Sequence, residues 1–203
     1  MRRDQCADAL FRAGAVKFGA FRLTSHETTN PDAPLSPICI DLRVVRSDPL
    51  ARTLVVDEYQ QFVRPIPFDV LADVPTAATP IVAILADRLG VPMITPRGLE
   101  KTHGLGATID GAFEPGQRVL VIDDLITRAD SKLEAIRCLE AGGLVVTDVV
   151  VLVDCQQGGR ERLREAGYNL HVRYTISELL RYYMETGQIK EEKGHEVFRY
   201  LGI

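Results

Sequence analysis

The chain lacks the features of a membrane, secreted or metal-built protein. No apolar run approaches the roughly 18 residues of a membrane span. Asp4 and Asp8 interrupt anything resembling a signal-peptide core behind Arg2 and Arg3, so a cytoplasmic location is expected. The four cysteines (Cys6, Cys39, Cys138, Cys155) form no C-x-x-C pair, and the four histidines (His26, His103, His171, His195) are scattered. Neither a disulfide framework nor a protein-built metal site is expected; Cys138, on the apolar side of a helix, and Cys155, ending an apolar strand, read as buried inert thiols. Basic residues are also short, with Lys plus Arg 24 against Asp plus Glu 28, a net charge of −4. That balance argues against a general nucleic-acid binder, whose phosphate contacts need a basic face. There is no internal repeat, low-complexity tract or long linker. No GxxxxGK[ST] loop occurs, and GLGATIDG at 104–111 does not match GxGxxG.

What remains is 203 residues, 46% hydrophobic and 26% charged, the composition of one folded globular domain. Residues 3–14 predict a short amphipathic helix with Ala7, Leu10 and Phe11 on one side. Strand-like pieces follow at 17–24 and 38–45, separated by the polar stretch HETTNPDAPLSP, and 48–63 reads as a helix. From there the pattern alternates. Apolar runs at 68–71, 91–94, 119–122 and 148–153 are interleaved with helices near 77–89, 131–141 and 157–167, and with a glycine-interrupted segment at 98–111. Alternation of this kind implies an α/β fold with a mostly parallel sheet flanked by helices. Val119–Ile122 and Val149–Val153 are apolar on both faces, as central strands are. Residues 1–40 and 170–203 are expected to flank this core.

The chemistry concentrates in VLVIDDLITRADSKLEAIRCLEAGG, residues 119–143. An apolar strand ends in Asp123-Asp124. A short loop then leads to a helix expected to open at Ser131, with Ser131 and Glu134 spaced as a capping box. Leu133, Ile136 and Leu139 would form the helix's buried face. Ligands of open parallel sheets bind outside the carboxyl ends of strands, and a helix N-terminus there suits a phosphate. Two carboxylates beside such a cradle suit a ribose phosphate. Spacing alone is equally compatible with two acids that end a strand and a third that caps a helix.

Several pieces together resemble the type I phosphoribosyltransferases, and within them the orotate phosphoribosyltransferase family. The strand, Asp-Asp, Leu-Ile-Thr and Ser-helix sequence resembles the motif that binds phosphoribosyl diphosphate (PRPP). FGAFRL (18–23) with SPICIDLR (36–43) resembles the N-terminal hairpin, and VPTAATPIVAILADRLGVPMITPR (74–97) the diphosphate-loop segment and next strand. RGLEKTHG (97–104) resembles the catalytic loop and VLVDCQQGG (151–159) the later strand and turn. The pieces occur in the family's order from about residue 16 to 175.

The resemblance implies Mg²⁺-dependent transfer of a phosphoribosyl group from PRPP to orotate, giving orotidine 5′-monophosphate and diphosphate in pyrimidine synthesis. Asp123 and Asp124 would hold the ribose hydroxyls. Thr127, Arg128, Ala129, Asp130 and Ser131 would cradle the 5′-phosphate, and Arg97, Lys101 and His103 would meet the diphosphate. Mg²⁺ would ride on PRPP oxygens and water rather than on protein ligands. Because the catalytic loop in such families reaches into a partner subunit's site, a homodimer is implied.

Four places depart from the family pattern. Thr127-Arg128-Ala129-Asp130-Ser131 stands for Thr-Thr-Gly-Gly-Ser, Arg97-Gly98-Leu99 for Arg-Lys-Glu, and Asp154-Cys155 for Asp-Arg. Pro34-Leu35 replaces a basic residue before Ser-Pro. These changes leave open a second reading, a non-catalytic or altered-specificity relative that binds PRPP or a nucleotide in a regulatory role.

Overall fold

The computed structural model describes residues 4–22, 35–98 and 109–203. Helix α1 (Gln5–Arg12) is capped by the Asp4 side chain, which accepts from the Ala7 N–H at 3.0 Å, and it buries Ala7 and Leu10 as expected. Strands β1 (Val16–Phe21) and β2 (Ser36–Ile40) pair antiparallel. The strand expected to run to residue 45 stops at Ile40. Asp41 accepts from the Arg43 N–H at 3.3 Å and turns the chain into a 3-10 segment, Leu42–Ser47. Asp48 then caps α2 (Pro49–Val63), accepting from the Ala51 N–H at 3.0 Å.

The remaining elements alternate: β3 (Val70–Asp73), α3 (Thr79–Leu89), β4 (Met93–Pro96), β5 (Ile109–Asp110), β6 (Arg118–Ile126), α4 (Asp130–Ala141), β7 (Val145–Asp154), α5 (Gly159–Glu165) and β8 (Asn169–Thr175). Two helices close the chain, α6 (Ile176–Glu185) and α7 (Glu191–Leu201). The six strands from β3 onward form one sheet in the order β5-β4-β3-β6-β7-β8, parallel except for β5 on β4. Side chains alternate between two cores. Leu71, Leu120, Ile122, Val150 and Leu152 pack on the side of α1, α2, α3 and α6. Val70, Ala72, Val119, Val121, Val149 and Val151 pack against α4 and α5 through Ile136, Leu139 and Leu163. Central strands covered on both faces need apolar residues at every position, which is why their runs read so clearly.

Two expectations change. Strand β6 does not end at the acid pair: register with β7 continues through Asp123↔Val151, Leu125↔Val153 and Ile126↔Asp154. Nor is 170–203 all flanking structure, since Asn169–Thr175 is the sheet's last strand. As an edge strand it is held partly by polar pairs. His171 Nε2 lies 2.7 Å from Asp148 Oδ1, and Arg173 Nε donates to Glu58 Oε2 at 2.5 Å, so no apolar run announces it. The loop expected at 26–35 falls almost wholly outside the described residues. Among the described residues no helix is long and apolar enough to cross a membrane.

The strand order places a reversal between β3 and β6. From β3 the sheet extends one way through β4, and from β6 the other way through β7 and β8. A crevice opens at such a switch point, outside the carboxyl ends of the two strands. Helix α4 fixes one wall of it through Leu139, whose side chain is fully buried. Leu139→Ala is expected to lower the free energy of unfolding by about 2–5 kcal/mol, read from denaturant midpoints at unchanged slope.

Candidate active site

At the carboxyl end of β6 the strand's alternation sends the two acids to opposite faces. Asp123 turns toward α4 and is 4% exposed. Its Oδ2 forms an ion pair with Lys132 Nζ, and its Oδ1 accepts from the Asp124 N–H at 2.8 Å. Its carbonyl oxygen accepts from the buried Tyr59 hydroxyl at 2.6 Å, so all its oxygens are engaged. Burial pushes the Asp123 carboxyl above the usual carboxylate range, while Lys132 works against that rise. Asp124 is half-buried. It faces the other way, toward a small recess shared with Ala77 and Ala78 of the β3–α3 connection.

Beyond Ile126 the chain makes the turn 127–129 into α4. Ala129 adopts a left-handed conformation, φ 67°, and occupies the N-cap with no side-chain cap bond. The capping box expected from Ser131 and Glu134 is therefore absent: the helix starts one residue earlier, at Asp130. The first-turn N–H groups have no partner within a helix, and here no cap side chain covers them. They point, with the positive end of the helix dipole, to where an anion would rest. Asp130 does not occupy that position. Its carboxylate is exposed and bound at 2.7 Å by Arg162 Nη1 of α5, which also donates to the Arg128 carbonyl at 2.6 Å. Ser131 is exposed, and Thr127 and Arg128 are half-buried.

The neighbouring strand ends complete the crevice. Asp73, fully buried at the end of β3, accepts from the Thr79 hydroxyl and from Thr95 Oγ1 at 2.5 Å, bracing the 74–78 segment against α3 and β4. Arg46 donates to the Thr76 carbonyl and ties the 3-10 segment to the same loop. Asp154, 3% exposed at the end of β7, accepts from the Gln156 N–H at 2.8 Å and from Arg160 Nε at 3.2 Å. A recess of about 80 Å³ lies between β2 and this end of the sheet, lined by Ile38, Ile40, Thr127, Cys155, Gln157 and Leu201 among others. Its described lining carries no charge. Burial pushes the Cys155 thiol up to about 12, and the Cys6 thiol likewise, so both stay protonated as the sequence suggests.

Thus Asp124, Thr127, Arg128, Ala129, Asp130 and Ser131 gather at one crevice wall, with Asp123 behind them. Arg97 stands at the end of β4, its Nε 3.1 Å from Asp110 Oδ1. Lys101 and His103 lie outside the described residues. Sequence reasoning missed Lys132, Tyr59 and Arg162. Lys132 carried a legible signal, since it shares the helical stripe of Ile136 and Leu139, where an apolar residue is expected. Arg162 carried none, because its partners are about 30 positions away.

No family model matches the chain. It is 38% identical over 189 residues to the orotate phosphoribosyltransferase of Pyrobaculum aerophilum, covering 93% of both chains. It is also 38% identical over 184 residues to the bifunctional enzyme PyrF/PyrE of a Nostoc species, where it spans 91% of its own length but only 37% of the relative's. Among solved structures it superposes on the UMP synthase of Leishmania donovani with a TM-score of 0.85 and 34% identity, over 97% of this chain and 41% of that one.

Two substitutions test the phosphate wall. A Cβ at Gly159 would fall on the Thr127 carbonyl oxygen and 2.6 Å from Ile126 Cγ1. Gly159→Ala should therefore lower stability by about 1–3 kcal/mol and abolish binding of ribose 5-phosphate in calorimetry. Arg162→Gln frees the Asp130 carboxylate near the helix end. It should raise the dissociation constant for ribose 5-phosphate by up to about fivefold, the worth of an exposed ion pair, and adding Asp130→Asn should reverse the loss.

Proposed function

Since the chain belongs to the orotate phosphoribosyltransferase family, we propose that it transfers the phosphoribosyl group of PRPP to N1 of orotate, forming orotidine 5′-monophosphate and diphosphate in pyrimidine nucleotide synthesis. The observation that carries this reading is the uncapped start of α4 at the sheet's switch point, with Asp124 beside it and Asp130 held away by Arg162. In the reaction the C1–oxygen bond of PRPP breaks and diphosphate leaves with the electron pair, while the C1–N1 bond forms and orotate N1 gives up its proton to water or to the departing diphosphate. The transition state is an oxocarbenium-like sugar between a departing anion and an incoming nitrogen. Its demands are orientation of two substrates and stabilisation of the leaving group's charge.

The chain's residues divide these tasks. The backbone from Thr127 to Ser131, with the hydroxyls of Thr127 and Ser131, cradles the 5′-phosphate. Asp124 accepts from the ribose hydroxyls, backed by Asp123. The diphosphate then meets the 74–78 segment, with Arg97, Lys101 and His103 in the roles the resemblance assigns. The second reading, a non-catalytic binder, drew on Asp130, Gly98 and Cys155. The clamp by Arg162 answers the first of these by turning the Asp130 carboxylate outward.

A Mg²⁺ ion would be carried by PRPP oxygens and water, as the family resemblance implies. Among the described residues no group of three His, Cys, Asp or Glu is placed to hold an ion, and the nearest acid pair is split across a strand with Asp123 bound to Lys132. That donor set fits an ion carried by diphosphate oxygens and water, where it offsets negative charge on the leaving group. The single domain 1–203 is read as acting in the cytoplasm as a homodimer, since the family's catalytic loop serves a partner's site.

Following orotate absorbance with PRPP and Mg²⁺ tests the reading: turnover is expected, and none at high enzyme beside an active control would refute it. Asp124→Asn should lower kcat/KM for PRPP about 10- to 100-fold, or roughly 1.4–2.8 kcal/mol of transition-state stabilisation, with little change in melting temperature.

A further inference from the structure

Lys132 is buried at the third position of α4, 5% exposed, on the stripe that otherwise carries Ala135, Ile136 and Leu139. A buried ammonium is a poor way to pack a helix on a sheet, because desolvation opposes the gain from its partner. An apolar side chain would serve the fold as well. What distinguishes Lys132 is its reach. Its Nζ pairs with Asp123 Oδ2 and donates to Ser131 Oγ at 3.4 Å, so it joins the acid pair to the phosphate cradle.

We propose that Lys132 is a positioning residue of the sugar-phosphate site: it fixes the charge and orientation of Asp123 and ties it to Ser131, leaving Asp124 as the carboxylate that meets the ribose diol. The proposal rests on the reading of this crevice as the PRPP site. It goes beyond that reading by giving Lys132 a role and the two acids unequal ones. With Lys132 paired to it, Asp123 stays ionised without adding net charge, and the pair presents one net negative charge to the substrate. That limits repulsion toward a donor that already carries phosphate and diphosphate.

The groups facing Asp123 are few. Asp124 follows on its own strand, Lys132 and Ser131 come from α4, the Tyr59 hydroxyl comes from α2, and the register partner on β7 is Val151. Cys155, at the end of β7, lies within the field of Lys132 as a neutral thiol. Burial and Asp124 raise the Asp123 carboxyl, and Lys132 lowers it. Removing Lys132 must therefore move that carboxyl's titration upward, and with it the acidic limb of any activity that needs Asp123 ionised.

The test compares wild type, Lys132→Met and Lys132→Arg by the pH profile of kcat/KM for PRPP and by the NMR titration of the Asp123 carboxyl carbon. Lys132→Met should shift both upward by about 1–3 pH units, the effect of one close opposite charge, and Lys132→Arg should return both to within about half a unit of wild type. A merely structural lysine would lower the melting temperature and kcat while leaving the acidic limb in place even as the Asp123 titration moves, and that result overturns the proposal. Should Lys132→Met not fold, Lys132→Gln carries the same comparison. If the wild type binds no PRPP, the reading of the site fails. The carboxyl titration, which needs no turnover, then still decides whether Lys132 governs Asp123, and a titration unmoved by its loss overturns that too.

Discussion

Strand β6 stays paired with β7 past the end of its apolar run, from Asp123 through Ile126, and the site depends on that constraint. A strand held by β3 as far as Ile122 and by β7 through Ile126 keeps its alternation, so Asp123 and Asp124 leave on opposite faces. One carboxylate is driven toward the α4 layer and needs a buried partner, which Lys132 supplies. The other is left at the crevice with one side open. The acid pair is thus divided by backbone geometry into a supported member and a presenting one.

The loop at 127–131 shows how such a scaffold absorbs unusual residues. Ala129 takes the left-handed conformation that glycine adopts more easily, a strain of order 1–2 kcal/mol, while its methyl is buried in the α4-side core. Asp130 brings a charge of the wrong sign for anion binding, and Arg162 draws it outward. Gly159 lets α5 approach the back of the loop closely enough for that contact. Arg162 and Gly159, both of α5, so restore an open helix terminus that the loop's own sequence does not provide. The recess beside β2 is different: with Cys155, Ile38 and Ile40 along it, its described wall offers apolar and neutral polar groups and no charge.

How much of this was legible in the residues follows from where each signal lies. The double-sided apolar runs of β6 and β7 marked central strands, and the Asp-Asp after the first marked the crevice. Local sequence placed the start of the helix at 48–63, where Asp48 proves to be the cap. It misled at Ser131, where the left-handed Ala129 starts the helix one residue sooner. Strand β8 was missed because Leu170, Val172 and Tyr174 alternate with Asn169, His171 and Arg173 instead of forming an apolar run. Its His171 and Arg173 find Asp148 and Glu58 only after folding. Lys132 could have been noticed as a charge on an apolar stripe. The clamp by Arg162 could not, since nothing local connects α5 to the loop. Lys101 and His103 remain known from resemblance alone.

The most direct measurement of the central claim is a crystal structure with ribose 5-phosphate bound. The account predicts the phosphate against the N–H groups at the start of α4 and the sugar hydroxyls on Asp124, with Asp123 still paired to Lys132 and Asp130 still on Arg162. An Asp130 carboxylate folded back over those N–H groups, with the sugar phosphate excluded, would contradict it.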